Sequence, residues 1–260
     1  MSYWQDRMSD NLNRISKKST KDLDKQLTKY YSDSANKVIR EFINTYNKVM
    51  LAGANGNPVT PADLYKLEAY WQMQGQLRGE LQKLGEKQIV AMTKVFEKNY
   101  FQVYNSINLQ GTPLFSTIDT GAVKQLMNSV WVADGKTFSQ RVWNNTNLLV
   151  DTLNDELIHC IATGKKTSEL KAILQRRFNV AYHNADMIAR TELAHIQTEA
   201  AKQRYRDYGI EQVQIWADPD ERTCEVCGKL HKKIYPTGAI VPIPAHPRCR
   251  CCIVPVIDGE

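Results

Sequence analysis

The chain has 260 residues, 42% of them hydrophobic and 24% charged, which is enough for one large or two modest domains of ordinary globular composition. Its formal charge of +6 is mild and spread along the chain, so it permits contact with nucleic acid or an acidic surface and requires neither. No apolar stretch approaches the roughly 20 residues that cross a bilayer, which excludes a helical membrane span.

The start, Met1-Ser2-Tyr3-Trp4-Gln5-Asp6, has no apolar core and no cleavage signature, so no secretory signal is expected. The cysteines are then expected to meet a reducing cytoplasm, as metal ligands or free thiols rather than disulfides. From there to about Met50, Ile15, Leu23, Leu27, Tyr30, Tyr31, Val38, Phe42, Tyr46 and Val49 recur at spacings of three and four. That predicts an amphipathic helix, with one break expected near Ser32-Asp33-Ser34. The run Gly53-Ala54-Asn55-Gly56-Asn57-Pro58 ends it. A second helix opens with Thr60 as cap, Pro61 at its first position and Asp63 completing a capping-box pattern. Leu64 through Tyr100 supply its apolar stripe, and Gly75, Gly79 and Gly85 predict a bend or close packing in its middle.

A linker is expected around Gly111-Thr112-Pro113, followed by helices over 122–131, 138–162 and 168–178, with Gly164 stopping the middle one. A long helix over 182–208 follows, and Gly209 ends it. Six of the nine prolines lie beyond Gly209, so long helices stop there. Val213-Gln214-Ile215-Trp216 reads as a short strand and Asp218-Pro219-Asp220 as a turn. Residues 232–235 and 251–257 read as two more strands, and Pro255 places the last at an edge.

Five of the six cysteines lie in this last stretch, in two groups. Cys224-x-x-Cys227 turns two thiols toward one point, and His246-Pro247-Arg248-Cys249-Arg250-Cys251-Cys252 can close a tetrahedral site with sulfur and imidazole ligands that suit Zn²⁺. In an extended segment Cys249 and Cys251 share a face and Cys252 points the other way, toward the core. One of Cys249 and Cys251 is therefore expected as a ligand with the other beside it, and His231 is a reserve nitrogen ligand. A metal-free thiol cluster, held by hydrogen bonds or disulfides, is the competing reading. A catalytic zinc would keep a position open for water beside a carboxylate base. Here the available ligands suffice to close the site, and Glu221 and Glu225 read as exposed turn residues.

Elsewhere, His195 and Glu199 stand four apart on one helix and read as an intrahelical pair. No HExxH pattern is present, because Ile196 follows His195. Gly135-Lys136-Thr137 is not a phosphate loop, since Val130 stands where that motif needs glycine. Arg190 and Glu192 are expected to pair with neighbouring elements, Arg190 as a clamp on the knuckle. The tryptophans read as core or interface anchors. Lys229, Lys232, Lys233, Arg248 and Arg250 are offset by Asp218, Asp220, Glu221 and Glu225, which reads as a solvated surface.

Ala189-Arg190-Thr191-Glu192, then Trp216-Ala217-Asp218 and Asp220-Glu221-Arg222-Thr223-Cys224-x-x-Cys227, then Pro244-x-His246-Pro247-x-Cys249-Arg250-Cys251 and the ending Val254-Pro255-Val256 resemble the phage Mu F-like minor head protein family, also called the phage head morphogenesis domain. Gly135 to Trp143 looks like the upstream part of the same domain. The resemblance covers roughly residues 130–257, and the helices before it resemble the variable arms of such proteins only loosely.

The resemblance implies a metal held by residues among Cys224, Cys227, His246, Cys249 and Cys251, with Arg190, Thr191, Glu192, Trp216, Asp220 and Arg222 as further motif positions. Two departures stand out. Cys252 adds a thiol directly after the motif, and His231-Lys232 replaces the usual Leu-Asp-Gly-type turn.

The expected fold is therefore α+β and mainly helical. An extended N-terminal helical arm (1–110) leads to a C-terminal domain (111–260) of helices packed on a small antiparallel sheet, with a Cys/His zinc-type knuckle at 216–257. The expected function is that of a non-enzymatic minor capsid protein of a tailed double-stranded DNA phage or prophage. It would bind the portal protein, with the scaffold or major capsid protein as further partners, and assist head assembly and DNA packaging or ejection. It would be found in the host cytoplasm during assembly and inside the procapsid or virion, in weak contact with packaged DNA and with no membrane. The alternatives are a metal-dependent hydrolase or nuclease, whose base would have to be Glu192, His195 or Glu221, and a DNA-binding zinc module, which the mixed-sign charge argues against.

Overall fold

Long helices with buried stripes account for most of the chain, as the three-and-four spacing requires. The computed structural model describes residues 3–52, 60–109, 120–217 and 220–257. The elements are α1 (Tyr3–Ala52), α2 (Pro61–Tyr65), α3 (Glu68–Ser106), α4 (Thr120–Met127), α5 (Phe138–Ala162), α6 (Thr167–Asp207), β1 (Gln212–Trp216), α7 (Glu225–Leu230), β2 (Ile234–Pro236) and β3 (Cys252–Pro255). The fold is α+β and mainly helical, with one small antiparallel sheet. The stop at residues 53–58, the linker at 111–113, the boundary near residue 110 and the first two residues of the turn at 218–220 lie outside the described residues. Among the described residues, no helix is long and apolar enough to cross a membrane.

The chain forms two compact units. The first comprises Met1–Asp24, Ala91–Phe138 and Met187–Glu260, and the second comprises Lys25–Val90 and Ser139–Asp186. In the second unit, the break expected near Ser32-Asp33-Ser34 does not occur, and α1 is continuous there. Ser34 is buried, and its hydroxyl donates to Glu80 Oε1 at 2.9 Å instead of competing for its own backbone. Tyr31, Gln88 and Asn145 form a buried hydrogen-bonded chain that ends on the Ala181 carbonyl. Burial pushes the Tyr31 phenol well above its usual range, so it stays neutral.

The second predicted helix starts as expected. The Asp63 carboxylate accepts from both the backbone N–H and the hydroxyl of Thr60 at 3.1 and 2.7 Å, and these bonds hold its pKa down to about 2. The helix then breaks after Tyr65, and α3 begins at Glu68. The indole Nε1 of Trp71 donates to the freed Tyr65 carbonyl at 2.9 Å, which stabilises the break. The glycines of α3 do not interrupt the helix. Of the two outcomes expected from them, close packing is realised at Gly85, against Trp143.

Helix α5 has the expected bounds. Gly164, at φ +61°, closes it with Lys165 N–H to Cys160 O at 3.0 Å and Gly164 N–H to Ile161 O at 3.2 Å, a Schellman motif. Gly209, at φ +70°, ends α6 the same way. The two helices expected over 168–178 and 182–208 are one, because Asn179-Val180-Ala181 contains no breaker and Ala181 is buried. Helix α4 stops at Met127, four residues earlier than expected, and leaves Trp131 in a loop.

In the first unit the sheet has the order β2-β1-β3, antiparallel throughout, with Val213 opposite both Tyr235 and Pro255, and Trp216 opposite Cys252. Pro255 therefore lies on an edge strand, where its missing N–H costs no ladder bond. Three strands of three to five residues cannot hold themselves, and β3 is buried along its whole length. Tyr205, fully buried near the end of α6, donates its hydroxyl to the Ile253 carbonyl at 3.1 Å. The start of α1 belongs to the same unit: Gln197 Nε2 donates to the Leu12 carbonyl, and the Cys252 thiol lies 3.6 Å from Ser9 Oγ.

Candidate metal centre

A thiol at a helix N-terminus meets the first unpaired N–H groups of that helix, which favour negative charge there. Cys224 is the N-cap of α7, and its sulfur accepts the Cys227 N–H at 3.5 Å. That bond lowers the Cys224 pKa. The one short turn of α7 swings Cys227 toward the same point.

The opposing hook is a tight turn. Cys249 N–H donates to the His246 carbonyl at 3.1 Å, and Arg248 sits between them at φ +61°, a left-handed conformation for a residue with a side chain. The turn is fastened to α6, because Arg248 N–H donates to Thr191 Oγ1 at 3.1 Å. On α6, Thr191, next to Arg190 in sequence, thus holds the knuckle turn. Thr191→Val keeps the shape and removes the acceptor. It is expected to cost about 1 kcal/mol in urea denaturation and to speed amide exchange at Arg248 and Cys249.

The two hooks converge. His246 Nε2 lies 3.2 Å from Cys224 Sγ and 3.0 Å from Cys227 Sγ, and Cys227 Sγ lies 3.7 Å from Cys249 Sγ. The donor atoms of Cys224, Cys227 and His246 lie within 4.8 Å of one another, and so do the sulfurs of Cys227, Cys249 and Cys251. Cys227 is common to both groups. These groups can hold a metal ion. Tetrahedral coordination at zinc–sulfur bonds of about 2.3 Å sets neighbouring sulfurs about 3.8 Å apart, close to the Cys227–Cys249 separation. His246 Nδ1 is 2.9 Å from the Pro247 carbonyl. A carbonyl can only accept, so Nδ1 carries the proton, and in the neutral ring the Nε2 lone pair faces the sulfurs.

Burial opposes charge on His246, but the Pro247 carbonyl and the neighbouring thiolates outweigh it and raise its pKa. The Cys251 thiol is pushed up, first by its hydrogen bond to Cys249, and that same bond lowers Cys249. Burial raises Cys227. Cys252 points away from this cluster into the core, as the alternation of an extended strand predicts.

His231 stays outside these groups. Its Nδ1 accepts the Ala217 N–H at 3.2 Å, and its ring meets Trp216 edge-on at 4.9 Å, so the reserve ligand serves instead to seat the buried Trp216. Asp220 joins the hooks from outside. Its carboxylate takes both guanidinium nitrogens of Arg250 at 2.8 and 2.5 Å, as well as the backbone N–H of Arg222 at 3.0 Å. The Arg250 fork holds the Asp220 carboxyl well below the usual carboxylate range.

Lys229 pairs with Glu225, as the local charge balance suggests, and Glu221 is exposed. Glu192 is buried and accepts from Trp131 Nε1 at 2.9 Å, while His195 stacks on the same indole at 4.2 Å. Glu199 pairs with Lys202, not with His195 as its spacing suggested. Sequence reasoning missed Trp131 as the partner of Glu192 and Ser9 as the partner of Cys252. Both contacts span long separations, and no local pattern marks them.

Residues 151–254 match the family model described as Phage Mu protein F like protein. The match covers less than half of the chain, from within α5 to β3, and includes both hooks and α6. The resemblance read from the motifs is thus shown for that region. No curated protein and no solved structure matches the chain.

Proposed function

We propose, from the Mu F-like region as premise, that the chain is a minor head protein of a tailed double-stranded DNA phage or prophage, acting by binding rather than turnover. In this reading Cys224, Cys227, His246 and Cys249 hold a structural Zn²⁺, and the Cys251 thiol donates to Cys249 beside it. The ion supplies apparent stabilisation on the order of 10–16 kcal/mol in small zinc modules, which a three-stranded sheet of this size needs. The pinned sheet then offers a rigid surface to the portal protein inside the procapsid, with the scaffold or major capsid protein as further contacts. The observation that carries the reading is the convergence of the two hooks, with His246 Nε2 3.0 Å from Cys227 Sγ.

The test is co-expression with the portal protein encoded in the same head-gene cluster. The expected result is that the portal co-purifies with the wild-type chain and not with Cys227→Ser. Portal binding that ignores the substitution, or no portal binding at all, overturns the docking role. Metal-dependent nicking of a supercoiled plasmid by the purified chain would favour the hydrolase reading instead.

A further inference from the structure

Fold topology brings cations from opposite ends of the chain to one surface of the first unit. An open concavity of about 520 Å³ is lined by Arg14 and Lys17 of α1 and by Arg222 and Arg250 of the knuckle, with Asp10 and Asp220 as the two carboxylates among its walls. Asp220 already engages Arg250 and Arg222. Arg14 donates to a neutral amide, Asn11 Oδ1 at 2.9 Å, which leaves its charge uncompensated by that contact. The cationic side also continues beyond the concavity. Arg14, Lys17, Lys18 and Lys21 are all exposed and spaced three, one and three, which places them on one face of α1. At about 1.5 Å per residue they extend over roughly 10 Å.

We infer that this surface binds the phosphate backbone of double-stranded DNA without reading its sequence. A row of cations of that length fits a polyanion with closely repeated charge better than a single carboxylate, because duplex DNA carries about one charge per 1.7 Å of axis. Four side chains on one helix face, Arg14, Lys17, Lys18 and Lys21, neutralise phosphates and release counterions. The choice of DNA over another polyanion rests on the head-protein reading. In sequence the knuckle's cations are largely offset by neighbouring carboxylates, and α1, about 200 residues away in the chain, brings Arg14, Lys17, Lys18 and Lys21 to the same unit.

The experiment is fluorescence anisotropy of a labelled mixed-sequence duplex with the full chain, from about 50 to 200 mM KCl. Four phosphate contacts predict a log–log salt slope of about −3.6. Arg14→Ser with Lys17→Ser, both solvent-exposed, is expected to weaken binding at low salt by roughly tenfold or more and to reduce the slope by about 2. Lys171→Ser with Arg176→Ser, which removes the same charge from an exposed stretch of the other unit, is expected to leave binding unchanged. Three results overturn the inference: no binding at the lowest salt, wild-type binding by the Arg14/Lys17 variant, or an equal loss in the Lys171/Arg176 variant. The Arg14/Lys17 variant is also assayed for portal co-purification. A variant that loses the duplex and keeps the portal supports this inference, whereas a wild-type chain that binds the portal and not the duplex sinks it and leaves the head-protein reading standing.

Discussion

On the proposed zinc reading, Cys227→Ser is expected to release the ion and to loosen the three-stranded sheet and α7. Cys227 is the donor common to both groups of candidate ligands, so without it the group of Cys224 and His246 shares no sulfur with that of Cys249 and Cys251, and the two hooks lose the ligand that joins them. Native mass spectrometry should show the wild-type chain heavier by one zinc and the variant without it. Amide exchange should accelerate by orders of magnitude in β1 and β3, whose ladder runs from Val213–Pro255 to Trp216–Cys252. The helical signal should change little, because helices make up most of the other elements. A chelator added to the wild-type chain at neutral pH should reproduce the same pattern.

Cys252→Ala is the control. That thiol is buried against Ser9 and outside the cluster, so its loss should cost about 1 kcal/mol and leave zinc in place. A Cys227→Ser chain that keeps slow exchange in β1 and β3 would mean that burial alone holds the sheet.

Local rules made much of this fold legible. Gly164 and Gly209 were readable as helix stops because the left-handed Schellman turn favours glycine. The bounds of α5 followed from a clean apolar period, and the three strands followed from proline density and alternation. The alternation of an extended segment is enough to separate Cys252 from Cys249 and Cys251.

What escaped was decided by distant partners. Ser34 reads as a helix breaker until Glu80 takes its hydroxyl. His231 reads as a reserve ligand until Ala217 N–H occupies its Nδ1. Thr191 carries no sign in its own sequence that it will fasten Arg248. The membership of the first 24 residues in the unit that contains the sheet is likewise invisible to periodicity, which reports that a face is buried and not against what.

The glycines of α3 show the same division, and a substitution series should separate its parts. Glycine in a helix interior costs about 1 kcal/mol relative to alanine. At Gly75 and Gly79 an added Cβ meets nothing within 4 Å, so alanine at each should recover up to about 1 kcal/mol and raise the melting temperature. At Gly85 the same Cβ would stand 2.5 Å from Trp143 Cζ3, 2.9 Å from Cε3 and 3.0 Å from Cη2, all on the rigid six-membered ring of the indole. An indole cannot yield at one atom, so either the ring or the α3 backbone must shift, which costs about 1–3 kcal/mol or more in a packed interior. That cost outweighs the propensity gain. Gly85→Ala should therefore destabilise the second unit by about 1–2 kcal/mol net, while Gly75→Ala with Gly79→Ala stabilises it, all read by urea denaturation. Restoring room with Trp143→Leu in the Gly85→Ala background should recover part of the loss, since the two changes share one contact and will not add. A stabilising Gly85→Ala would mean that the indole does not rest on that glycine, and propensity alone would then govern the whole length of α3.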